Sequence, residues 1–98
     1  MKTIKKLKNG WVEGSVQSFL ELSDADMEYI EMRLALSRLL KEQRQKHHLT
    51  QTQMASQLHT SQSRVAKMEK GDPTVSVDLL LQALFRLGVK RKQLATVI

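Results

Sequence analysis

The stretch Leu49–Gly71, LTQTQMASQLHTSQSRVAKMEKG, decides the fold. It contains two short amphipathic segments, each with its own start signal, joined by a turn too tight for the helices to lie side by side. Thr50 can cap a helix through its hydroxyl, and Gln53, three residues later, can reach back to close a capping box. Met54, Ala55 and Leu58 then make one apolar face, which predicts a helix from about Gln51 to Leu58. His59 and Thr60 form the turn, and Ser61 offers the next cap. Val65 and Met68 give the second helix its buried stripe. Gly71 can take the left-handed conformation that closes a helix, and Asp72-Pro73 prevents continuation. Two capped helices at this spacing read as a helix-turn-helix.

With Val65 and Met68 turned inward, the front and outer face of the second helix is left to Gln62, Ser63, Arg64, Lys67 and Lys70. All can donate hydrogen bonds, and none is a carboxylate. Gln can pair bidentately with adenine and Arg with guanine in the major groove, while Lys and Ser can hold phosphates or base edges. Any surface helix carries some polar residues, so one such helix alone would say little. Its coupling to a preceding capped helix points to duplex DNA.

These residues resemble those of the lambda-repressor-like, Cro-type (XRE) helix-turn-helix family from about Arg33 to Leu94. The most specific matches are Leu49-Thr50-Gln51, Met54-Ala55, Ser61-Gln62-Ser63-Arg64-Val65 and Met68-Glu69-Lys70-Gly71. The resemblance implies an all-α fold, a five-helix bundle containing the helix-turn-helix. It implies that Gln51, with Thr50 beside it, positions the protein on DNA phosphates. It also implies that Gln62, Ser63 and Lys67 read bases, with Ser61, Arg64 and Lys70 facing bases or phosphates. Glu69 matches a family glutamate that often pairs with an arginine of the first helix, here Arg44, which implies a structural ion pair.

Length and charge agree with this picture. The 98 residues fit one small domain, and a formal charge of +6 implies an anionic partner. Distribution says more than the total. Between Asn9 and Met32 there are six acids and no Lys or Arg; between Arg33 and Gly71 there are eight bases and two acids. The positive field therefore sits on the half expected to meet DNA, where it speeds encounter and makes affinity salt-dependent.

The chain divides into an N-terminal tail, residues 1–22, expected to be flexible or ordered by a partner, and a DNA-binding domain, residues 23–98. The tail carries four lysines before Gly10 and a small apolar cluster at Val16, Phe19, Leu20 and Leu22. Ser23 with Asp24 and Asp26 makes a helix start, and Met27, Ile30, Leu34 and Leu40, with Leu36 and Leu39 on an adjoining strip, carry the helical pattern to about Lys46. This first helix is longer than the family's minimum. Its apolar extension must rest either on residues 16–22 of the same chain or on a dimer or partner surface. Beyond Gly71, Ser76 or Asp78 can cap a helix whose Leu79, Leu80, Ala83, Leu84 and Leu87 complete the core, and Gly88 ends it. Lys90 to Ile98 has room for a last short helix.

Other chemistries are poorly served. The absence of cysteine removes disulfides and thiolate metal sites. His47, His48 and His59 have no carboxylate at ligand spacing, so neither a metal nor any other cofactor is expected. The methionines suit core packing. With four aromatic residues in a hundred there is no stacking platform for single strands. No nucleophile elbow, phosphate loop or zinc motif is present, so no enzyme activity is expected. The basic start lacks the apolar core of a signal peptide, and no membrane span is long enough. These features suggest a cytoplasmic, nucleoid-associated protein acting as a homodimer on double-stranded DNA. With no separate sensing module, it is also similar to HigA-type antitoxins, which implies a basic RelE-like toxin as partner. Glu13, Glu21, Asp24, Asp26, Glu28 and Glu31 would offer the complementary surface. A stand-alone repressor is the alternative.

Overall fold

In the computed structural model, which describes residues 22–98, four of five helices begin at a hydroxyl side chain that closes the first turn. Ser23 opens α1 (Asp24–Lys46): its hydroxyl accepts the Asp26 amide at 3.0 Å, and the Asp26 carboxylate accepts the Ser23 amide at 3.2 Å. Thr50 opens α2 (Gln51–Gln57) with a reciprocal capping box, Gln53 N–H to Thr50 Oγ1 at 3.0 Å and Thr50 N–H to Gln53 Oε1 at 2.8 Å. Ser61 opens α3 (Gln62–Lys70), accepting the Arg64 amide at 3.1 Å. Ser76 opens α4 (Val77–Arg86), accepting the Leu79 amide at 3.1 Å. Only α5 (Arg91–Val97) starts without a side-chain cap among the described residues, at Lys90. Each cap satisfies an amide that the helix itself leaves without an acceptor.

The first four helices also end alike. One residue turns left-handed, and the amide after it bonds back across six residues: Leu49 to Arg44 at 3.0 Å, Thr60 to Ala55 at 2.9 Å, Asp72 to Lys67 at 3.1 Å and Val89 to Leu84 at 3.0 Å. Gly71 and Gly88 fill two of these left-handed positions, as expected. The other two are held by His48 and His59, each with φ of 57°.

The chain divides after Glu31 into two units, and the second, Met32–Ile98, is described throughout. Its core joins Leu36, Leu39 and Leu40 of α1, Met54 and Ala55 of α2, Val65 and Met68 of α3, and Leu80, Ala83 and Leu84 of α4. Val75, Val89 and Leu94 close it. The expected stripe along α1 is only partly what packs. Leu36, Leu39, Leu40 and Gln43 are buried together with Ser37, whereas Ile30 and Leu34 are exposed. At about 100° per residue, the row 36, 39, 40, 43 faces one way and the row 30, 34 another. The first row is the one that α2, α3 and α4 cover. The Val16 to Leu22 cluster, the lysine-rich start, Glu13 and Glu21 fall outside the described residues, except Leu22, which is half-buried.

No helix among the described residues is long and apolar enough to cross a membrane. Nor do three His, Asp or Glu side chains among them gather where a metal could be held.

Candidate nucleic-acid interface

The helix-turn-helix is α2, the turn Leu58–Ser61, and α3. Within it the two helices bury Met54 and Ala55 against Val65 and Met68, and that choice of inner face dictates what is left outside. Ser61, Gln62, Ser63, Arg64, Lys67 and Lys70 are all exposed, so every residue expected to meet DNA on α3 lies on its open side. Thr50 is exposed and Gln51 half-buried at the start of α2. Ser61 also caps α3, its hydroxyl oxygen accepting the Arg64 amide, and it lies 3.2 Å from the Ser63 hydroxyl, where either group can be the donor.

Beneath this surface lies a row of polar side chains. Arg44 grips Glu69 with both arms, Nε to Oε2 at 2.6 Å and Nη2 to Oε1 at 3.2 Å, and its remaining Nη1 donates to the Leu49 carbonyl at 2.9 Å. The pair is largely shielded from solvent, with 14% and 4% of the two side chains exposed. Arg44 thus ties the last turn of α1 to the last turn of α3 and to the residue that leads into α2. This is the ion pair that the family resemblance implied. Removing either partner would leave a buried charge uncompensated, at a cost of about 3–5 kcal/mol.

The row then continues outward. Gln51 Nε2 donates to Glu69 Oε1 at 3.2 Å, and Gln62 Nε2 donates to Gln51 Oε1 at 2.7 Å. Gln51, expected to touch a phosphate, is therefore also the link between the buried ion pair and the first residue of α3. No spacing rule reveals that link, because Gln51 is 18 residues from Glu69 and 11 from Gln62. A second link missed in the sequence is Arg33, whose Nη2 donates to the Asp72 carbonyl at 2.9 Å and so holds the loop after α3 against α1. In that loop Thr74 bonds the Asp72 carboxylate twice, through its hydroxyl at 2.6 Å and its amide at 2.8 Å. The hydroxyl bond first, the amide bond second, and the nearby Lys67 and Arg33 charges lower the Asp72 carboxyl below its ordinary 3.8.

Two capped helices, a short turn and an outer face of amides, hydroxyls and cations define a helix-turn-helix protein. A family model described as a helix-turn-helix domain matches residues 18–92, most of the chain, and the chain belongs to that family. No curated protein and no solved structure matches it.

Proposed function

We propose that the chain is a sequence-specific, duplex-DNA-binding transcriptional regulator, working in the cytoplasm as a homodimer that represses its own target. The observation that carries this reading is the outer face of α3, where Gln62, Ser63, Arg64, Lys67 and Lys70 are exposed together and the helix's one carboxylate, Glu69, is turned inward and paired. A duplex presents phosphates along its rims and base edges between them, and this face offers donors for both. The resemblance of its sequence to the lambda-repressor-like, Cro-type family favours repression and a dimer, with two α3 helices in successive major grooves about one helical turn apart. Thr50 and Gln51 set register on phosphates, Gln62, Ser63 and Lys67 choose sequence, and Ser61, Arg64 and Lys70 face bases or phosphates. Nothing in this reading calls for catalysis or a cofactor.

The test is selection of bound sequences from random duplex at two salt concentrations, with Gln62→Ala alongside. An inverted repeat is expected, and Gln62→Ala should lose about 1–3 kcal/mol of preference at one base position per half-site. Absence of duplex binding at low salt overturns the proposal and leaves α2 and α3 as a protein-binding surface.

The narrower reading, the autoregulating antitoxin of a toxin–antitoxin pair, draws support from Asp24, Asp26, Glu28 and Glu31, exposed on the opening turns of α1. A basic, RelE-like ribonuclease would find complementary charge there. Co-expression with the product of the adjacent gene tests it. A stable complex with suppressed ribonuclease activity supports an antitoxin, and no complex leaves a stand-alone repressor.

A further inference from the structure

We infer that the corner between α4 and α5, which carries Arg86, Lys90, Arg91 and Lys92, is a second phosphate-binding surface that holds duplex DNA by its backbone, outside the groove entered by α3. This rests on the DNA-binding reading above. It adds a contact that lies apart from the helix-turn-helix.

The four cations fall within seven residues, whereas the seven residues from Arg64 to Lys70 on α3 carry three. All four are exposed, and none is ion-paired among the described residues, where Arg44 and Glu69 form the one such pair. From Leu79 to Ile98 the sequence has no Asp or Glu. The acid before that stretch, Asp78, accepts Gln82 Nε2 at 3.0 Å within its own helix, about two turns short of Arg86. Local helix stability does not account for the charge either. α1 and α4 open with carboxylates, Asp24 with Asp26 and Asp78, the sign that the dipole at a helix N-terminus favours. α5 opens on Lys90, Arg91 and Lys92, the sign it opposes, with no side-chain cap. With seven residues, α5 is too short for its amides to be the site; the side chains are.

The corner is braced from beneath. Gly88 turns left-handed at φ 97°, the Val89 amide bonds back to the Leu84 carbonyl at 3.0 Å, and Leu84, Val89 and Leu94 are held in the core. Two observations favour a phosphate backbone over a protein or a base edge. No large apolar side chain is exposed from Arg86 to Lys92, so the apolar footing of a protein interface is missing. The exposed polar side chains there are cations only, without the amides that read bases, and duplex DNA carries one negative charge for about every 1.7 Å of its axis. The ten residues of α4 span about 15 Å, more than the roughly 12 Å width of a major groove. That length separates the corner from the loop after α3 and places it beyond the groove that α3 occupies.

The experiment uses the full chain with the fourfold change R86Q/K90Q/R91Q/K92Q, beside Lys70→Ala. The fourfold variant should melt no earlier than the wild type, because the charges it removes pair with nothing described and oppose α5. If it melts early, R91Q/K92Q reads the same effect at half the size. Binding isotherms on random duplex at four salt concentrations should show the slope of log K against log salt reduced by about 3–4 in the fourfold variant, at roughly 0.9 per phosphate contact. The base preference of the selected duplex should stay as it was. Phosphate-ethylation interference should show that the fourfold variant loses contacts at phosphates other than those lost in Lys70→Ala.

An unchanged slope overturns the inference and leaves the corner as a solvated surface or a site for an acidic protein. So does loss of the same phosphates as in Lys70→Ala, since the corner would then be no separate surface. The two proposals fail separately. An inverted repeat selected by the wild type, with the slope unchanged in the fourfold variant, keeps the DNA reading and removes this one. Duplex binding with no selected sequence, and a slope that drops in the fourfold variant, does the reverse: α3 loses its reading role and the corner stands. No duplex binding at low salt overturns both.

Discussion

His48 and His59 occupy left-handed positions where Gly71 and Gly88 sit in the equivalent ends of α3 and α4. A side chain in that conformation costs about 1–2 kcal/mol, because Cβ crowds the following carbonyl. Gly71 is the position where glycine is needed twice over: a Cβ there would stand 2.8 Å from Leu34 Cδ2, though that methyl is at the end of a half-exposed side chain and can yield. His59 is exposed, so its imidazole gains little by staying. His59→Gly should raise the unfolding free energy by about 0.5–1 kcal/mol in denaturant melts, less than the strain because glycine widens the unfolded ensemble. A loss instead would show that the imidazole makes contacts worth more than the strain. Ser37 presents the opposite case, a polar group with too little around it. It is 2% exposed on α1, and its hydroxyl has no hydrogen-bond partner among the described residues. Ser37→Ala should gain about 1 kcal/mol in the same melts, from removal of that hydroxyl and better helix propensity. The two glycine ends were legible in the sequence because Gly is the usual left-handed residue. The histidine ends were not, since only the six-residue back-bond reveals them, and that bond depends on where the next segment of chain goes.

At the level of elements, the caps were legible and the faces only in part. Thr50, Ser61 and Ser76 each precede an apolar pattern by the right spacing, and each caps. In α1 the apolar residues form two rows, and periodicity alone cannot say which row the other helices cover. Burial of 36, 39, 40 and 43 is settled by α2, α3 and α4, which are distant in sequence. The loop between α3 and α4 shows the same dependence. Asp72-Pro73 was readable as a stop, but not the double bond from Thr74 to the Asp72 carboxylate. Because that carboxyl is lowered below 3.8 in the folded chain, its charged form is favoured by folding. The stabilisation is fully present above the unfolded value and is lost as pH falls through the lower, folded one. Comparing the wild type with Thr74→Ala by acid titration of stability checks this. The difference should be constant above about pH 5 and shrink on acidification below 3.8. A difference that persists undiminished to the lowest pH would assign Thr74 a role independent of the Asp72 charge.

For the whole molecule, charge and shape have to be taken together. The sequence already placed eight bases between Arg33 and Gly71, but a count cannot tell which cations share a surface. Folding divides them. Arg44 is consumed by Glu69 and Leu49, and Arg33 reaches the Asp72 carbonyl, while Arg64, Lys67 and Lys70 stay exposed on α3. Lys70 lies at the far end of α3 from Gln62, so it is placed to meet a phosphate at the groove's rim rather than a base at its floor. A phosphate contact releases counterions and carries no sequence information. Lys70→Ala should therefore weaken every duplex alike and reduce the slope of log K against log salt by about 1. Gln62→Ala, which removes no charge, should leave that slope as it was and change only the preferred sequence. Binding isotherms at four or five salt concentrations, on the selected duplex and on a scrambled one, separate the two. If Lys70→Ala altered sequence preference while the slope held, Lys70 would be reading a base, and α3 would have to enter the groove by its C-terminal half instead of by the end that carries Gln62.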